Sequence, residues 1–168
     1  SKKLSGDPIE IALITLANTS DSKAEEIKGQ YERIAEAPFS SETKMMGTLH
    51  KGPGGQFAAA KGSVEHLLEK CTKIQTGETT GDLSGETKKN ILLESEKMAA
   101  EGHRVLAFAY REDTGLTKDN FLNDLVYVGM IGFLDPPRMD IKDAIASCRK
   151  GGIRIVMITG DHPMTALN

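Results

Sequence analysis

An α+β fold is predicted, with an antiparallel sheet flanked by helices over residues 1–134 and an incomplete parallel α/β fragment over residues 135–168. Three observations predict it. Strand-like apolar runs in the first part are separated by turns and polar loops, Gly52-Pro53-Gly54-Gly55 being the sharpest reversal. Helical periodicity is interspersed with them, clearest from Gly85 to Gly102. After Asp135-Pro136-Pro137-Arg138 the pattern becomes amphipathic helix, Gly-Gly stop and apolar run, the idiom of a parallel α/β sheet.

The elements follow in order. Ile9 to Ala17 is apolar nearly throughout behind Asp7-Pro8, which predicts a largely buried helix entered through a turn. From Asp21 to Ala37, Ile27, Tyr31, Ile34 and Ala35 fall at helical spacing among charges, predicting one amphipathic surface helix. Met45–Lys51 and Gln56–Lys61 form a hairpin around a four-residue loop. A short helix from Val64 to Cys71 takes Ser63 as its N-cap. One strand near Thr72 to Gln75 leads into a Thr- and Gly-rich loop. Ile91, Leu92, Ser95, Met98 and Ala99 mark one face of the next helix, and Gly102 ends it. Arg104–Tyr110 and Leu125–Leu134 are strands joined by a polar loop from Glu112 to Asn123. Two prolines at 136 and 137 stiffen a domain junction. Beyond it a helix with Ile141, Ala144, Ile145 and Cys148 on one face precedes a buried strand, Ile153 to Ile158. A lone helix and strand cannot close a sheet, so residues 139–168 are a piece of a second domain.

Composition narrows the function. A hydrophobic fraction of 39% with 27% charged residues is that of a soluble globular protein. A net charge of −3 with interspersed signs excludes a polyanion-binding stripe, so no nucleic acid partner is expected. No apolar run approaches the length of about 18 residues that a membrane helix needs, so the chain itself is not expected to insert. Cys71 and Cys148 lie far apart without metal-ligand spacing, which favours a reduced, cytosolic protein. His50, His66, His103 and His162 form no cluster in sequence.

Four places carry potential chemistry. Thr159-Gly160-Asp161 follows an apolar strand and so falls at the carboxyl edge of a parallel sheet, where such folds bind ligands; alone, the triplet also describes a plain turn. Lys61-Gly62 precedes a helix start, where an ammonium and free backbone N–H groups can meet a ligand, or where a turn lysine sits in solvent. Phe39, after Pro38 in a polar neighbourhood, either stacks on a base or caps the core. Arg104 opens a strand and is a cation at the sheet edge or a solvated residue.

Together with their surroundings these residues make a larger pattern. Gly6-Asp7-Pro8-Ile9-Glu10, Pro38-Phe39-Ser40-Ser41-Glu42-Thr43-Lys44-Met45-Met46, Lys61-Gly62-Ser63-Val64-Glu65, Gly102-His103-Arg104-Val105-Leu106, Asp135-Pro136-Pro137-Arg138 and Met157-Ile158-Thr159-Gly160-Asp161 occur in that order. In this the chain resembles the nucleotide-binding domain of P-type cation-transporting ATPases followed by the start of their haloacid dehalogenase-like phosphorylation domain. Residues 125–161 are most similar to the calcium and sodium/potassium branch.

The resemblance implies roles. Phe39 stacks on adenine, Glu10 reaches its amino group, and Met46 and Leu106 shape the pocket. Lys61 and Gly62 line the slot, Arg104 contacts the phosphates, and Thr159, Gly160 and Asp161 surround the γ-phosphate. Asp135 and Arg138 lie at the hinge. It also implies ATP as ligand, magnesium in the parent enzyme, and the phosphorylation, actuator and transmembrane domains of an integral membrane pump as partners of a cytoplasmic piece. Two positions depart from the pattern: Ser63-Val64 where Ala-Pro is common, and Ser41 where many calcium pumps carry an Arg. The phosphorylation sequence Asp-Lys-Thr-Gly-Thr and the magnesium-binding Gly-Asp-Gly do not occur, so the chain is expected to bind ATP without hydrolysing it. The alternatives are a non-catalytic interaction domain with a vestigial pocket, and a dehalogenase-class hydrolase, which would need an Asp-x-Asp that the sequence lacks.

Overall fold

The computed structural model describes residues 7–19, 24–134 and 141–156. Seven strands form one sheet, β1 (Glu32–Ala37), β2 (Met45–Gly52), β3 (Gly55–Gly62), β4 (Cys71–Thr76), β5 (Thr79–Asp82), β6 (Arg104–Asp113) and β7 (Leu125–Phe133). Their spatial order is β1-β2-β3-β6-β7-β4-β5. All neighbours run antiparallel except β4 and β7, which are parallel. With its helices this is the expected α+β architecture.

Alternation along the strands separates two faces. On one, Met45, Ala60, Ala107, Ala109, Leu125 and Tyr127 pack with Leu67 and Leu68 of α3 (Val64–Lys70). Ile91 and Leu92 of α4 (Gly85–Ala100) close the same cluster. Of the face expected for α4, Ile91 and Leu92 pack, Ser95 is buried and Met98 is half-buried, whereas Ala99 is exposed. Ser84 caps α4 by accepting from the Thr87 N–H at 3.1 Å, and Gly102 ends it at φ +87°. The small side chains of β3 and β6 on this face, Ala58, Ala60, Ala107 and Ala109, let the layers approach closely.

Several expectations are corrected. Residues 21–37 are not one helix: α2 (Ala24–Gln30) stops and β1 begins, because pairing with β2 satisfies the backbone of residues 32–37 as a sheet edge. The hairpin loop is shorter than four residues, since Gly52 pairs with Gly55 and only Pro53 and Gly54 turn the chain. Gly55, at φ +124°, takes a backbone conformation closed to other residues. Ser63 stands at the N-cap of α3, but its hydroxyl pairs with His66 Nδ1 at 2.8 Å instead of the helix backbone.

The loop expected after β4 contains β5, and the letters Thr76-Gly77-Glu78 form the tip of that hairpin, with Gly77 at φ +59°. The segment Glu112–Asn123 is not merely polar. Leu116 and Phe121 are buried with Leu49 and Ala58, and both amide atoms of Gln56 bond the Leu116 backbone at 2.8 and 2.9 Å.

Helix α1 (Pro8–Thr19) forms with Pro8 in its first turn and the Asp7 carboxylate accepting from the Ile9 N–H at 2.9 Å. It is not buried as expected: none of its residues is buried, and Ile14 and Leu16 face solvent, because among the described residues no element covers its outer side. Helix α5 (Ile141–Lys150) ends at Gly152, φ +72°. Residues 153–156 are exposed and form no strand, as among the described residues no strand pairs with them. The rest of that expected strand, residues 157–158, lies outside the described residues.

Candidate functional site

The face of the sheet away from α3 and α4 is half-covered. On it, Met46 pairs directly with Lys61, and Lys61 with Phe108, so these side chains stand in one row across β2, β3 and β6. They border a hollow of about 250 Å³ that is also lined by Arg33, Thr48, Ala59 and the strand backbone at Gly47 and Ala60. A Cβ at Gly47 would point to the opposite face, where it would run into the Leu122 side chain and crowd the carbonyl oxygen of Ala59 at 3.1 Å and Phe121 at 3.3 Å.

Most of Lys61 is buried, and its ammonium donates to the carboxylate of Glu10 on α1. The pairing places the start of α1 against the open face. Next to it, Asp7, Pro8, Ile9 and Ala12 border a second hollow of about 320 Å³ with Arg104, Phe133 and Leu134. Arg104 and Leu106 share the open face with Phe108, stepping back along β6 by roughly 6.6 Å per pair of residues. Arg104 is exposed and Leu106 half-buried opposite Ile131.

Phe39 lies in the connection from β1 to β2 and is 64% exposed, so it does not cap the core. The turn that carries it is braced. Ser40 Oγ accepts from the Glu42 N–H at 3.2 Å, the Ser40 carbonyl accepts from the Lys44 N–H at 2.7 Å, and Lys44 adopts φ +48°. The Ser63 N–H bonds the Lys44 carbonyl at 3.0 Å, tying this turn to the end of β3 beside Lys61 and Gly62.

The structure therefore brings Glu10, Met46 and Lys61 together and sets Leu106 and Arg104 in line with them, Arg104 in a separate hollow. Phe39 stands at the same end of the strands, outside the lining of the first hollow. Gly62 alternates to the helix-covered face and is buried there. Thr159, Gly160 and Asp161, with Asp135 and Arg138, lie outside the described residues. Sequence reasoning missed Arg33, Thr48, Ala59 and Phe108. Period-two counting from Met46, Lys61 and Leu106 reaches the last three; Arg33 was hidden by its assignment to a helix.

Further along the open face, Tyr31, Phe57 and Tyr110 form a ladder with ring centroids 5.6 and 5.9 Å apart. The Tyr110 hydroxyl donates to Gln75 Oε1 at 2.8 Å. His50 Nε2 lies 2.9 Å from Thr48 Oγ1. Burial first, and then the positive charge of Arg33, hold His50 below the ordinary imidazole range. Among the described residues no group of three or more His, Cys, Asp or Glu side chains is placed to hold a metal ion, and no helix is long and apolar enough to cross a membrane.

This sheet, with its cleft-bearing open face, corresponds to a known domain. The family model described as P-type ATPase, cytoplasmic domain N, matches residues 1–140. The chain belongs to the P-type ATPase family. Among curated relatives, a calcium-transporting ATPase of Bacillus cereus is 39% identical over 96% of this chain and 18% of its own length. A sodium/potassium exporting P-type ATPase of Schizosaccharomyces pombe is 36% identical over 96% of this chain and 16% of its own. A sodium/potassium-transporting ATPase subunit alpha of Artemia franciscana is 30% identical over 98% and 18%. This P-type ATPase chain thus spans less than a fifth of the length of those proteins. The domain match covers all seven strands of the sheet and ends just before α5.

Proposed function

We propose that residues 1–134 are the ATP-binding domain of a cation-transporting P-type ATPase, and that residues 135–168 begin its phosphorylation domain. The observation that carries this reading is the open-face row Met46–Lys61–Phe108 with Glu10 joined to Lys61. A hollow of about 250 Å³ is smaller than the pockets that take drug-sized ligands. Its apolar lining by Met46, Ala59 and Phe108 suits a purine base, with ribose and phosphates extending along β6 toward Arg104. Phe39, exposed on a braced turn at the same end, supplies a ring for stacking. Glu10, released in part from Lys61, accepts from the exocyclic amine.

In the parent protein the domain would hold ATP by its base and deliver the γ-phosphate to an aspartate outside this chain. Closure about the double-proline segment near Asp135 to Arg138 would bring the two together. Thr159, Gly160 and Asp161 would then face that phosphate. Magnesium belongs to the same reading of the parent. The described residues hold no donor set that fits it, and none of them is assigned a step with it. The parent would be an integral membrane pump and this piece its cytoplasmic part, with the phosphorylation, actuator and transmembrane domains as partners. The chain by itself would bind ATP without turning it over. Ser41, in place of an arginine, favours the second reading, an interaction domain with a vestigial pocket.

An NMR titration of the isotope-labelled chain with ATP separates the two. Stacking on an aromatic ring is worth about 1–3 kcal/mol, so Phe39→Ala is expected to weaken binding about 5- to 150-fold. Equal affinity in the variant defeats the stacking assignment. No binding of ATP to the unaltered chain at millimolar concentration leaves the vestigial pocket as the answer.

A further inference from the structure

We propose that Arg33 reads the base: its guanidinium closes the end of the hollow away from Arg104 and donates to one ring-nitrogen acceptor of the purine. This rests on the ATP-binding reading of the same hollow and assigns that hollow a further recognition residue.

The argument begins with a bulge. Arg33 pairs with His50 while Ala35 pairs with Leu49, so β1 carries an extra residue, Ile34, at this point. Without it, Arg33 and Ala35 would share a face. With it, Ala35 and Ala37 pack into the buried cluster around Leu49, and Arg33 turns to the open face with His50, Thr48 and Met46. The bulge thus keeps Ala35 and Ala37 against the core and leaves Arg33 on the open face. That side chain lines the hollow together with Met46, Thr48, Lys61 and Phe108.

Position then decides which part of the ligand it meets. Met46 and His50 are four residues apart, roughly 13 Å along β2. Arg104 lies on the other side of the Lys61 row, two steps back along β6 from Phe108. The open face thus has a cation at each end, and phosphates directed at Arg104 leave Arg33 at the base. Arg33 Nη1 donates to Glu36 at 2.9 Å, which orients the guanidinium. A guanidinium carries five donors in a planar fork, so this one bond does not saturate it. Adenine presents N1, N3 and N7 as single acceptors, and one N–H of the guanidinium can donate to one of them; the two-acceptor edge that arginine grips with both arms belongs to guanine.

Titrations with adenosine, AMP and ATP test it on the unaltered chain, Arg33→Met, Arg33→Lys and Phe39→Ala. The Arg33 side chain is 59% exposed, and a charged contact at an exposed site predicts that Arg33→Met weakens all three ligands by a similar factor, about 2- to 5-fold. Arg33→Lys should recover most of that, because an ammonium can make the same single donation. Unchanged resonances outside the cleft verify the fold. A loss confined to AMP and ATP with adenosine unaffected overturns the base assignment in favour of a phosphate contact. Unaltered affinities in Arg33→Met beside a weakened Phe39→Ala overturn the Arg33 inference alone. Failure of the unaltered chain to bind any of the three overturns the nucleotide reading and this inference with it.

Discussion

The Lys61 ammonium on β3 donates to the Glu10 carboxylate on α1 across 51 residues of chain, and it does so on the open face of the sheet. The pair has a double consequence. It tethers a helix with no buried residue of its own, and it gives the largely buried lysine a counter-charge at the rim of the hollow. Partly exposed ion pairs contribute at most about 1 kcal/mol, so the tether is weak by design of the chemistry.

Glu10→Gln is therefore expected to speed amide hydrogen exchange in α1 by up to about fivefold while leaving the sheet's most protected amides unchanged. Exchange measured by NMR or mass spectrometry checks this. Equal α1 protection in both proteins would show that the helix is held by something other than Lys61.

Phe39 and Leu67 make a contrast in stability. Leu67 is fully buried between α3 and the sheet, and Leu67→Ala should cost about 2–5 kcal/mol in urea unfolding. Phe39 is 64% exposed, and Phe39→Ala should change stability by no more than about 0.5 kcal/mol. A large destabilisation in Phe39→Ala would mean that the ring supports the fold.

Cys71 gives a pH dependence with a definite sign. Burial pushes its thiol from 9.0 up to about 11, against a smaller opposing effect of Lys88, while burial and then Cys71 raise the Tyr127 hydroxyl to about 12. Between pH 9 and 11 the unfolded thiol has lost its proton and the folded one retains it, so the unfolded state binds fewer protons and stability falls as pH rises. The Cys71 part of that loss is about 2–3 kcal/mol by pH 11. Urea midpoints across this range should fall less steeply in Cys71→Ala. At pH 8 a thiol reagent should label Cys148, which is half-exposed, long before Cys71.

Gly62 sits where the turn carrying Phe39 meets the end of β3. A Cβ there would approach the Met45 Cβ at 2.6 Å and the Lys44 carbonyl at 2.7 Å. One obstacle is backbone, so the strands must part. Gly62→Ala is expected to cost about 1–3 kcal/mol and to shift the resonances of Lys44, Met45 and Met46. Unchanged stability and unshifted Met46 resonances would show that β2 gives way freely.

Much of the candidate site was legible from local pattern. Met46, Lys61 and Leu106 lie on strands whose period-two burial is visible in the letters, and Gly102 stops α4 as a lone glycine after a helical stretch should. Other features were not. Ile34 and Ala35 fit a helix as well as a strand, and only the bulged pairing of β1 with β2 settles the choice and sends Arg33 to the open face. Ser63 has the right chemistry for an N-cap, yet His66 one turn on competes for its hydroxyl. Leu116 and Phe121 look like stray apolar residues in a polar loop until Gln56, 60 residues away, pins that loop over Leu49.

By itself the sequence determined the element types with strong periodicity, the α+β class, and the membership that its ordered motifs announced. Those depend on spacing within a few residues, which the backbone periods of 3.6 and 2 translate directly into faces. Only the tertiary structure decided that β4 inserts parallel beside β7, that Glu10 meets Lys61 while Arg104 borders a separate hollow, and that α1 buries none of its residues against the other described elements. Each of these is a pairing between segments far apart in the chain. It is chosen by which backbone donors and apolar faces remain unsatisfied once the local elements have formed, and no local pattern encodes that competition.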